Sequence, residues 1–168
     1  MKKTIILSAL IILATAFTAN AQQDLAKGFA ISTNGEPVSF DRIVIDSDID
    51  VMLFEQPAQK IIVEGHPKNT ANVKWSVKDH VLYLRSNRNS LKGKVLVTIA
   101  VNQLKTLEVN GNSTVKTLGS LNSPFIRVQL NGEGSVALQN TGRINVSGTE
   151  GTGVEVKKSI GHIQVETK

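Results

Sequence analysis

The chain has 168 residues, no cysteine, and 19 Lys and Arg against 14 Asp and Glu, a formal charge of +5. Without cysteine it forms no disulfide and no thiolate metal site, and it lacks the acylated cysteine of a bacterial lipoprotein. The charge is too modest to argue for a nucleic-acid partner.

The first residues read as an export signal. Lys2 and Lys3 start the chain, and Ile5 to Phe17 is almost wholly apolar. Small residues then stand at Ala19 and Ala21, which places cleavage between Ala21 and Gln22. The apolar run is about 13 residues, short of the roughly 20 that span a bilayer. Residues 1–21 are therefore expected to leave. The mature chain then holds 17 basic and 14 acidic residues, a net of +3. Its expected location is periplasmic, outer-surface or secreted. Residues 22–35 read as a mobile lead-in with a first strand, and residues 36–168 as one β domain.

From there the signals are β. Short runs rich in branched residues recur: Phe40 to Ile45, Ile49 to Phe54, Ile61 to Val63, Val73 to Val77, Val81 to Arg85 and Val95 to Val101. Each is bounded by Gly, Pro, Asn or Asp, as strands are. No segment keeps the i, i+3, i+4, i+7 spacing of a helix.

A repeat emerges further on. Leu107-Glu-Val-Asn-Gly-Asn-Ser-Thr-Val115 aligns with Val128-Gln-Leu-Asn-Gly-Glu-Gly-Ser-Val136, 21 residues later. Ile144-Asn-Val-Ser-Gly148 repeats the first half after 16 more, and Ile163-Gln-Val165 is a truncated copy. Ile43 to Val51 is a glycine-free relative upstream. The alternation sends apolar side chains to one face. Gly111, Gly132 and Gly148 read as structural corners, where a positive φ would suit glycine. A unit this short must stack on neighbours to bury its face. The corners fit hairpins of an antiparallel sheet, and they equally fit the turns of a parallel solenoid.

The ordered set from Phe40 to Val136 resembles an exported bacterial family, the putative auto-transporter adhesins with a head GIN domain. The pieces that carry the resemblance include Phe40-Asp-Arg-Ile-Val-Ile45, Ile49 to Gln56, Ile61 to Gly65, Val77 to Leu84, Val95 to Ile99 and Leu104 to Gly111. The resemblance implies a right-handed parallel β-helix or β-solenoid-like single domain, with an antiparallel β-sandwich or meander as the alternative. The corners here read Asn-Gly-Asn-Ser and Asn-Gly-Glu-Gly where the family favours Ser-Gly-Ser-Gly, and the C-terminus is short, so the last turns of a solenoid would be incomplete. The family carries no binding residues that can be transferred.

Candidate chemistry is sparse. Asp46, Asp48 and Asp50 alternate as in a calcium loop, but Val51 and Pro57 stand where an EF-hand needs Gly and Glu. His66, His80 and His162 lack second ligands at metal-motif spacing. Asp79-His80 reads as a turn pair. Glu133 and Glu150 would form a glycosidase pair only if the fold set them about 5–10 Å apart. No Gly-x-Ser-x-Gly or complete dinucleotide fingerprint occurs. Catalytic residues, cofactors and metals are therefore expected to be absent. The mature chain's aromatics are Phe29, Phe40, Phe54, Trp75, Tyr83 and Phe125, of which Trp75 and Tyr83 form a conceivable platform.

Charge is placed unevenly. From Lys60 to Lys105 nine Lys or Arg face only Glu64 and Asp79. Lys74, Lys78, Arg85 and Arg88 form a candidate patch for an acidic glycan or an anionic envelope component. The expectation is a non-catalytic, exported binding or surface-scaffold module. The rivals are a polysaccharide lyase or hydrolase and a self-assembling envelope component, with a homo-oligomer possible. A cleft joining two carboxylates, or a carboxylate and a base, would favour the enzyme.

Overall fold

The computed structural model describes residues 39–86, 95–148, 153–156 and 163–167. The signal segment, the Ala21–Gln22 junction, the lead-in, Arg88, Glu150 and His162 lie outside them.

Among the described residues thirteen strands follow in chain order: β1 Arg42–Asp46, β2 Asp50–Glu55, β3 Lys60–Gly65, β4 Val73–Lys78, β5 Val81–Ser86, β6 Val95–Val101, β7 Thr106–Val109, β8 Thr114–Thr117, β9 Phe125–Leu130, β10 Ser135–Leu138, β11 Arg143–Gly148, β12 Gly153–Val156 and β13 Ile163–Thr167. The single described helix, α1, is one turn at Pro67–Thr70. Its Pro sits in the first turn, where a missing N–H costs nothing, and His66 caps it through Nδ1, which accepts from Lys68 N at 3.3 Å.

The strands form two sheets. One runs β13-β11-β9-β7-β1-β5-β4, the other β12-β10-β8-β2-β6-β3. Most neighbours are parallel, but β3 pairs with β6, and β4 with β5, antiparallel. This mixed pairing overturns both the right-handed parallel β-helix and the antiparallel sandwich or meander. A solenoid adds turns in chain order in one direction. Here the first strands, β1 and β2, sit inside their sheets, and later strands are laid on both sides of them. The hairpin at Asp79-His80 supplies the antiparallel edge of the first sheet.

The Asn-Gly corners do not make hairpins. They carry the chain from the first sheet to the second, between β7 and β8 and again between β9 and β10. The core lies between the sheets and follows from strict alternation. Ile43, Ile45, Leu107, Val109, Ile126 and Val128 point in from one sheet, and Val51, Leu53, Val97, Ile99, Val115 and Val136 from the other, all at most 2% exposed. Burying a side chain of this size is worth roughly 1.5–3 kcal/mol, so the interleaved aliphatics dominate cohesion.

The sequence repeat is the register. Leu107 pairs with Val128 and Val115 with Val136, both 21 residues apart. Ile43 pairs with Leu107 and Val51 with Val115, as the glycine-free copy requires. Ile163 lies beside Ile144. The third copy departs by two residues: Val128 pairs with Val146, and Gly148 with Leu130. A shift of two keeps every side chain on its own face. It also makes Gly148 the last residue of β11 rather than a corner equivalent to Gly132.

Candidate functional site

Outward-facing residues of the first sheet align in rows across the strands. One row reads Lys78, Val81, Arg42, Thr106, Arg127 and Asn145 from β4 to β11. The next holds Ser76, Tyr83, Val44, Glu108, Gln129 and Ser147, and a third begins Lys74, Arg85 and Asp46. Three of the four patch residues, Lys74, Lys78 and Arg85, therefore share one face, all exposed. Arg42, Arg127 and Arg143 extend that face, also exposed. These three were missed as patch members because they lie in separate sequence segments. The signal that would have found them is the alternation of each strand combined with the repeat.

Charges in the first row sit on every second strand. Strands lie about 4.8 Å apart, so Lys78, Arg42 and Arg127 recur roughly every 9–10 Å. Arg85 lies over the Tyr83 ring, 5.8 Å from its centroid, which holds the guanidinium at the surface. Tyr83 and Trp75 do not form a platform. Tyr83 pairs with Ser76 on the outer face, whereas Trp75 pairs with Leu84 and packs against the core.

Two adjoining clefts open where the strands of this sheet begin. The larger, about 480 Å³, is lined by residues that include Phe40, Asp41, Gln59, His80, Asn102 and Lys105. Its polar groups are largely engaged. Gln59 clamps the Phe40 backbone, accepting from its N–H at 2.8 Å and donating to its carbonyl at 2.5 Å. Lys105 Nζ donates to Asp41 Oδ2 at 2.6 Å. A carboxylate and a base thus converge here, bonded to each other and open to solvent. The smaller cleft, about 390 Å³, is lined by Gln103, Leu104, Lys105, Thr106, Pro124, Phe125 and Arg127.

The other candidates fall elsewhere. Asp79 and His80 form the β4–β5 turn, with φ of 52° and 61°. Asp46 ends β1 and Asp50 starts β2, while Asp48 Oδ1 accepts from Asn112 N at 2.9 Å. Among the described residues no three His, Cys, Asp or Glu side chains are grouped so as to hold a metal ion. Glu133 lies exposed in the corner after Asn131. No described helix is long and apolar enough to cross a membrane.

Gly132 is a genuine point of close approach, for a reason other than φ. Neither Gly111 nor Gly132 has a positive φ; Gly119 does, at 78°. A Cβ on Gly132 would lie 2.7 Å from the Gly111 carbonyl oxygen, and one on Gly134 would lie 2.8 Å from the same atom. Stacked corners bring backbone onto backbone, and that contact excludes a side chain.

Fold and surface together define an all-β, two-sheet protein with a broad cationic face. The chain belongs to the family described as putative auto-transporter adhesin, head GIN domain, which matches residues 39–168. That description points to an exported or surface-binding protein. No curated protein matches the chain. Among solved structures it is similar to a putative lipid binding protein from Parabacteroides distasonis, with a TM-score of 0.59 and 16% identity over 80% of this chain. This chain spans 59% of that protein's length. A putative adhesin from the same species matches with a TM-score of 0.48 and 14% identity, covering 83% of this chain and 76% of the other. One from Bacteroides fragilis gives 0.40 and 14%, covering 83% and 97%. At 16% identity the likeness to the first of these speaks to fold alone.

Proposed function

We propose that this protein is an exported, non-catalytic binding module whose first-sheet face holds an acidic polysaccharide of the cell surface. The observation that carries the reading is the row Lys78, Arg42 and Arg127, with Lys74, Arg85 and Arg143 beside it, against Asp46 and Glu108 on the same face. The spacing of the row is comparable to the axial repeat of a disaccharide in an extended glycan. A polymer with an anion on alternate sugars, lying across the strands, meets one cation per repeat. Each exposed contact is weak, and the ladder gathers them by avidity. Export rests on the family and on the signal-like segment, with processing after Ala21. Intact mass of protein from the native envelope should start at Gln22, and a chain retaining Met1 would refute processing.

The test of the face is retention on an immobilised polyuronate. A variant carrying Lys74→Gln, Lys78→Gln and Arg85→Gln should elute at lower salt than the wild type. Equal elution would remove the face from the reading.

A second reading has one observation in its favour, the Asp41–Lys105 pair in the larger cleft. A lyase or hydrolase built on that pair would shorten an acidic polysaccharide, and Lys105→Gln would abolish the cleavage. Polymer that keeps its length during incubation with wild-type protein would set this reading aside.

A further inference from the structure

Among the described residues the smaller cleft holds the one exposed aromatic side chain of the cationic face; Tyr83, the other aromatic on that face, is half-buried. Phe125 is 38% exposed and, with Leu118, is one of two large apolar side chains exposed among the described residues. Alternation explains its position. Ile126, Val128 and Leu130 of β9 point into the core, so Phe125 and Arg127 point out. The 38% of its surface left in solvent adds nothing to packing among the described residues.

The surroundings of Phe125 are cationic. Arg127 lies two residues along the same face and lines the same cleft. Arg143 stands beside Phe125 in the parallel register of β9 and β11. Lys105 closes the cleft but is already paired with Asp41. No carboxylate forms an ion pair with Arg127 or Arg143 among the described residues. Leu104, 1% exposed, forms the floor, and beneath it the space between the sheets is filled by fully buried aliphatics.

We infer that this cleft is a subsite for one carboxylated sugar unit, its ring resting on Phe125 and its carboxylate held by Arg127. The inference rests on the proposed polysaccharide reading and deepens it. The volume, about 390 Å³, lies at the lower end of small-ligand sites, which run about 300–1,000 Å³. A ring is matched by this shape. A long acyl chain is not, because it needs continuous burial and the cleft ends on a packed core. An aromatic face accepts the apolar C–H side of a sugar, and a guanidinium forms paired hydrogen bonds with a carboxylate. Arg127 also ends the row Lys78, Arg42 and Arg127, so a polymer following that row arrives at the cleft.

The experiment titrates labelled wild-type protein with digalacturonate and follows backbone amide resonances. Shifts should concentrate at Lys105, Thr106, Phe125 and Arg127. Phe125→Leu keeps apolar volume but removes the ring, and should weaken the disaccharide about threefold to tenfold. The neutral methyl ester should bind more weakly than the acid, and Arg127→Gln should erase that difference. The Lys74, Lys78 and Arg85 triple variant should bind the disaccharide as wild type does. Affinity unchanged in Phe125→Leu, or shifts centred elsewhere, would overturn the subsite. Displacement of the disaccharide by laurate, with shifts at the same amides, would overturn the sugar assignment in favour of an anionic amphiphile. The two readings fail separately. If polyuronate is retained through the triple-variant residues but digalacturonate does not bind, the subsite falls and the face stands. If digalacturonate binds at Phe125 while the triple variant elutes with the wild type, the face falls and the subsite stands.

Discussion

At Gly142 a Cβ would lie 2.2 Å from the Ser123 carbonyl oxygen and 2.4 Å from that of Pro124. Both neighbours are backbone, so relief requires the stacked connections to part. Gly142→Ala should lower stability by about 2–3 kcal/mol, the upper range of overpacking. Gly119 is the contrasting case. It has a φ of 78° with nothing within 4 Å of the added Cβ, so Gly119→Ala should cost about 1–2 kcal/mol and Gly119→Asn less. Urea titrations of the three variants check the order, and Gly119→Ala costing more than Gly142→Ala would contradict it. Below Gly142 lies a buried polar pair. Asn140, fully buried, accepts from Ser123 N at 3.0 Å and donates to Ser123 O at 2.8 Å. The Ser123 hydroxyl itself has no partner. Removing a buried group that makes no hydrogen bond relieves its desolvation, so Ser123→Ala should leave the melting temperature unchanged or raise it. A clear fall would show that the hydroxyl is satisfied.

The β4–β5 hairpin is the element with the plainest local conflict. Its two turn residues, Asp79 and His80, both have positive φ, the requirement of a type I′ turn. Asp and His enter that region more readily than most side chains, but Asn-Gly suits it best. Replacing the pair with Asn-Gly should stabilise the domain by about 0.5–1 kcal/mol. Thermal melts compare the two proteins, and a destabilised variant would mean that the His80 side chain contributes packing there. The His80 carbonyl accepts from Asp41 N at 3.1 Å and Arg42 N at 3.3 Å, contacts that the change retains. Lys74 and Lys78 also have a negative role on β4. This is the edge strand of its sheet, and charged side chains there discourage pairing with another chain.

Over the whole molecule, the cationic face spans strands that are far apart in sequence, and its binding should depend on salt. The Debye length falls from about 10 Å at 0.1 M to about 3 Å at 1 M, so charges 9–10 Å apart stop acting together within that range. Adding Arg42→Gln and Arg127→Gln to the triple variant should remove the remaining salt-sensitive retention on polyuronate. Retention that survives in the five-fold variant would assign the binding to another surface.

Much of this was legible in the chain. Alternation marked β1 to β6 within a residue or two, and the 21-residue repeat is the pairing offset of β7 with β9 and of β8 with β10. Both are legible because a strand's side chains alternate with a period of two, and stacked copies must keep that phase. The gathering of Lys74, Lys78 and Arg85 on one face came from the structure, where a two-residue turn sets β4 and β5 side by side. Only the tertiary structure decided that β1 and β2 lie inside their sheets, that the Asn-Gly corners cross between sheets, and that Gly148 closes a strand. Parallel pairing joins residues 18 to 64 positions apart, and nothing local specifies which strand becomes the neighbour. The same holds for the site. Phe125, Arg127, Arg42 and Lys78 meet on one face only after β9, β1 and β4 have been ordered across the sheet, and that order is fixed by how the apolar faces fill the space between the two sheets.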